Sequence, residues 1–138
     1  MFVKRLEIIE YPPSVPCVTR NIPDPAWNAI QIAIRALDRH RLPFVNLCGN
    51  YDESDDDYLT VMGGNGLFWI ALTAGQHDQT RLFDANRGNH EVELWTSDQG
   101  FGSPECYTTN DINIVFAAAL YFCEHGSCDP NLTWDTVA

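Results

Sequence analysis

With 138 residues, 45% of them hydrophobic and 12% aromatic, the chain has the length and apolar content of a single domain with its own core and is too apolar for a disordered segment. Eight Lys and Arg against nineteen Asp and Glu leave a net charge of −11, a field that repels phosphate and so argues against a nucleic-acid binder or a protein docked on an anionic membrane. The same balance suits a soluble protein or a partner for something basic.

Met1 to Tyr11 carries Lys4, Arg5, Glu7 and Glu10 and no apolar run of signal-peptide length, so a cytoplasmic protein is expected. Its five cysteines, Cys17, Cys48, Cys106, Cys123 and Cys128, would stay reduced there. Phe2 to Tyr11 has the β-branched and aromatic content of a strand, ended by Pro12, Pro13 and Pro16. Asp24-Pro25 reads as an N-cap followed by proline in the first helical position. Trp27, Ile30, Ile34 and Leu37 then recur at helical spacing, with Arg35, Arg39 and Arg41 toward the negative helix end and Pro43 as the stop.

Phe44 to Cys48 is a short apolar strand, and Gly49 to Asp57 a polar loop with five carboxylates in six positions. Tyr58 to Met62 and Leu67 to Thr73 flank Gly63-Gly64-Asn65-Gly66, whose residues suit the positive φ of a tight hairpin. The uncharged stretch from Tyr58 to Gln76 approaches a membrane span in length, but its glycines favour two strands around a turn. Arg81 to Phe83 and Glu91 to Trp95 are further strands. In the latter Val92, Leu94 and Thr96 would face one way, and Glu91, Glu93 and Trp95 the other. Ser97 to Glu105 reads as a loop. A second helix follows Thr108, opened by a Thr108-x-x-Asp111 capping box and closed by Gly126. Its buried face is Ile112, Val115, Phe116, Ala119, Leu120 and Cys123. Leu132 and Trp134 should dock the tail. The expected architecture is a single α+β domain, a largely antiparallel sheet of about five or six strands packed with two helices.

Signs of catalysis are sparse. The glycine loop joins two strands and lacks the Lys-Ser or Lys-Thr of a phosphate loop. His90-Glu91-Val92-Glu93 and Pro104-Glu105-Cys106 fall short of both halves of a zinc-deaminase site. Cys123-x-His125-x-x-Cys128 offers three soft ligands, and zinc would need a fourth, such as Cys106 or Cys17. The other reading places Cys123 in the core and His125 at the helix's negative end. A small thiol or zinc enzyme built on Cys123, His125 and Cys128 is therefore the rival to a binding protein, with an acidic adaptor domain as a third reading. The expectation is no catalytic, cofactor or metal site. The run Asp52-Glu53-Ser54-Asp55-Asp56-Asp57 lacks the calcium-loop pattern. It is either a solvated loop or a docking surface for a basic partner.

The order of Ala29 to Leu37, Pro43-Phe44-Val45, the Tyr58 to Gly66 hairpin, Leu82-Phe83-Asp84, Val92-Glu93-Leu94, and finally Gly126, Asp129-Pro130, Leu132 and Trp134 resembles the family catalogued first among the immunity proteins of bacterial polymorphic toxin systems. The resemblance spans roughly Ala29 to Trp134. It implies a small cytoplasmic, non-enzymatic protein that binds a cognate toxin domain one-to-one. That toxin would often be a nucleic-acid deaminase or a nuclease, and its active site or substrate groove would be occluded. On that reading the contacts fall to Asp52, Glu53, Asp55, Asp56 and Asp57 in one loop and to Asp98, Phe101 and Glu105 in another. Trp95 and Phe101 are the aromatic anchors, although Trp95 could equally pack on the second face of the sheet.

Overall fold

Period-two alternation builds the sheet. Leu6 and Ile8 of β1 (Arg5–Glu10), Val45 and Leu47 of β3 (Phe44–Cys48), Leu59 and Val61 of β4 (Tyr58–Gly64), and Phe68 and Ile70 of β5 (Leu67–Ala74) all point to one face. There they meet Ile30, Ala33 and Ile34 of α1 (Trp27–Arg35) and Val115, Ala118, Ala119 and Phe122 of α2 (Ile112–His125) in one buried cluster. The computed structural model describes residues 1–52, 57–75, 78–96 and 100–137.

The main sheet runs β10–β6–β5–β4–β3–β1–β2, with β2 at Val18–Pro23, β6 at Asp78–Leu82 and β10 at Trp134–Val137. Every neighbouring pair is antiparallel. The two-residue β9 (Thr108–Thr109) pairs with β5 at Phe68 and Trp69. On the opposite face, β7 (Glu91–Trp95) and β8 (Phe101–Pro104) form a separate two-stranded sheet. Leu94 of β7 packs there on Met62, Trp69 and Ala71, which alternate out of phase with the main core. Among the described residues no helix is long and apolar enough to cross a membrane.

The α+β class and the two helices match expectation, but the described residues form ten strands, not five or six. β2 is almost wholly exposed at the sheet edge and so has no hydrophobic alternation to betray it. The expected Ser97–Glu105 loop contains β8, and Glu105–Tyr107 is a turn of 3-10 helix. α1 begins at Trp27 without a side-chain cap, because its N-cap position is held by Ala26, whose side chain has no acceptor; Asp24, with a positive φ of 46°, lies two residues earlier. It also stops at Arg35, short of Leu37. Asp38 instead accepts the N–H groups of His40 and Leu42, each at 2.9 Å, a local turn that competes with helix. Leu37 is buried nonetheless.

The capping box does not form. Thr108 belongs to β9 and donates to the Glu105 carbonyl, while Asp111 caps α2 itself by accepting Asn113 N–H at 2.9 Å. Gly126, in the left-handed region, ends α2 as expected. Leu120 is exposed, not buried, its place taken by Ala118 and Phe122. In β7 a register shift between Glu93 and Trp95 buries both Leu94 and Trp95, which simple alternation would have separated.

Candidate interaction surface

The register gathers the acidic segments at one end of the sheet. Arg5 lies opposite Pro23 and Cys48, Cys48 opposite Tyr58, and Tyr58 opposite Thr73. The end of β2, the β3–β4 loop and the β5–β6 turn therefore emerge together. Asp57 Oδ1 accepts Gly75 N–H at 3.2 Å, and Tyr51 donates its hydroxyl to Asp24 Oδ1 at 2.7 Å. That second bond, which favours the neutral phenol, pushes the Tyr51 hydroxyl above its ordinary pKa. Asp24, Asp52, Asp57 and Asp78 are all exposed at this end. Glu53, Asp55 and Asp56, and likewise Asp98, lie outside the described residues.

Beneath the loop sits Arg5, 5% exposed. It donates to the carbonyls of Asp52 at 3.0 Å and Asn50 at 3.4 Å, to Glu7 at 2.9 Å and to Asn21 at 2.7 Å. A buried guanidinium is tolerable only when its donors are met in this way. Glu7 in turn belongs to a row that crosses the sheet in register and is polar except at buried Ala71: Asn21, Glu7, Asn46, Thr60, Ala71, Arg81 and Asp135. Asn46 donates to Glu7 at 2.8 Å and Thr60 to Asn46 at 2.6 Å. Farther along, the Arg81 guanidinium lies 3.7 Å from the centre of the Tyr107 ring, and Tyr107 donates to Asp135 at 2.6 Å. None of these residues was singled out from sequence. The signal was present, since Arg5 and Glu7 alternate with Leu6 and Ile8 and so had to face the other way.

The remaining expected contact residues divide. Trp95 is 8% exposed, donates to the His40 carbonyl at 3.1 Å and has its ring 4.6 Å from that of Tyr11. Packing on the second face accounts for it. Glu105 accepts Gly88 N–H at 3.0 Å and lies 3.3 Å from His90 Nε2, holding the turn before β7 in place. Phe101 is 37% exposed, its ring edge resting against Trp69 at a centroid distance of 5.3 Å.

The cysteine and histidine cluster is dispersed. Cys123 is fully buried, and burial pushes its thiol up to about 12. Burial likewise raises half-buried Cys128 to about 11. The ring of His125 lies 4.4 Å from that of Tyr121, at the surface. Cys106 is buried and Cys17 exposed. Among the described residues no three His, Cys, Asp or Glu side chains converge as a metal site requires. Compared with protein-family models and with curated proteins, the chain matches none.

Proposed function

We propose that this chain is an immunity protein that binds a cognate toxin domain one-to-one and neutralises it, with no catalysis of its own. The order of motifs from Ala29 to Trp134 supports the class. The observation that carries the reading is the gathering of Asp24, Asp52, Asp57 and Asp78 around the acidic loop at one end of the sheet. A toxin acting on nucleic acid, as a deaminase or a nuclease, needs a basic groove for its substrate. A clustered acidic face complements such a groove, speeding encounter and selecting the partner. Occlusion of that groove or of the active site is the proposed mode of inhibition.

Co-expression tests it. The toxin domain encoded beside this gene, produced alone, should arrest growth. Produced with this protein it should not, and the two should copurify in equal amounts. A neighbouring toxin that remains lethal and does not copurify would refute the assignment.

A further inference from the structure

The two-stranded sheet carries a feature that the acidic end does not explain. Glu91 and Glu93 lie two residues apart on β7, so both project from the same side of that strand. With Val92, Gly102 and the exposed ring of Phe101 they line a notch of about 280 Å³, just below the size of a drug-sized pocket and suited to a single side chain. Two facts make it a cradle. Gly102 forms the floor opposite Glu93, and a Cβ there would run into the Glu91 carboxylate. Phe101 is fixed from behind by Trp69, so its exposed part is a rigid wall.

Among the described residues neither Glu91 nor Glu93 makes an ion pair, and Arg39 donates to the Glu93 carbonyl, not to its carboxylate. Two carboxylates beside an exposed aromatic ring form the recognition set for an organic cation, which gains charge-assisted hydrogen bonds from one and cation–π attraction from the other. A planar guanidinium uses both better than an ammonium. We infer that this notch receives an arginine side chain of the partner protein. The inference rests on the reading that the partner is basic, and it assigns a second contact region on β7 and β8, apart from the acidic loop.

The notch can be tested first without any toxin. In an NMR titration with acetyl-arginine amide, the Phe101 ring protons and the Gly102 amide should shift saturably. Acetyl-glutamine amide should produce no such shift. Gly102→Ala, which displaces the Glu91 carboxylate, and the pair Glu91→Gln with Glu93→Gln, which leaves the backbone untouched, should each abolish the shift. A flat wild-type titration, or an equal shift in the Gln pair, overturns the inference whatever the toxin proves to be. With the toxin, the Gln pair should weaken the complex about tenfold and Phe101→Leu about two- to fivefold. A toxin complex unaffected by these variants would exclude the notch as a contact while leaving the immunity reading intact. Failure of the toxin to bind, with the arginine titration positive, would sink that reading alone.

Discussion

At Cys123 the sequence admits two roles, metal ligand and core filler, and burial decides what its thiol can do. With the folded value near 12 for Cys123 and near 11 for Cys128, almost no thiolate exists at mild pH, and the thiolate is the reactive form. Iodoacetamide at pH 8 should therefore alkylate Cys17 in the native protein and spare Cys123 and Cys128 until the chain unfolds, as mass spectrometry would show. On the proposed function, Cys128→Ala should leave protection against the toxin unchanged; loss of protection in a folded variant would revive the thiol enzyme. Asp38 behaves in the opposite sense. Burial alone would raise its pKa, but the N–H groups of Leu42, His40 and Arg41 outweigh this and hold it below 3.8. A lowered folded value stabilises the fold at neutral pH, and that contribution disappears as pH falls through it. Asp38→Asn should cost about 1 kcal/mol near neutrality, and the difference from wild type should shrink below pH 3.8 in denaturation curves.

Among the elements, the β4–β5 hairpin shows how glycines can differ within one turn. Asn65 and Gly66 take φ values of 52° and 84°, the pattern of a turn matched to strand twist. Around Gly66 a Cβ would meet nothing within 4 Å, so Gly66→Ala should cost about 1 kcal/mol for backbone strain alone. At Gly64 a Cβ would strike the carbonyl of Leu37, where the chain leaving α1 crosses the hairpin and Asp38 bridges to Gly64. Gly64→Ala should cost about 3 kcal/mol or more. Urea denaturation with an unchanged slope would check both values. Such distinctions separate what was legible in the sequence from what was not. Strands with one face in the core, and helices with apolar stripes, declare themselves by period. β2, β8, β9 and β10 do not, because they are held chiefly by backbone pairing at edges and ends, which leaves little side-chain signature. At the start of α1 the Asp24-Pro25 pair has the composition of a cap, whereas the chain there turns through positive φ and the helix opens only at Trp27. Of the candidate contacts, Phe101 is exposed. The convergence of Asp24 and Asp78 on the acidic loop depended on strand register, which no local pattern encodes.

Across the whole molecule, the charge of −11 acts through distance more than contact. On the proposed function, replacing Asp24, Asp52, Asp57 and Asp78 with Asn should slow association with a basic toxin, because the long-range field that steers encounter is weakened. The wild-type association rate, followed by stopped flow, should fall with salt as screening shortens the field to about 8 Å at physiological strength. A rate indifferent to salt would reduce the acidic end to solvated surface. Strand order carries a separate consequence, for the route by which the chain assembles. From Phe44 to Leu82 the sheet is an uninterrupted meander in which each strand pairs with its successor. β10, by contrast, reaches β6 across 56 residues between Thr80 and Thr136. Short loops close at little entropic cost and long ones late, so the meander should form the folding nucleus and β10 should zip on after the barrier. Leu59→Ala, in the meander, should chiefly slow refolding. Trp134→Ala, which loses its bond to the Asp129 carbonyl, should chiefly hasten unfolding. Equal effects on both limbs of the chevron for the two variants would mean that the sheet closes along its whole width at once.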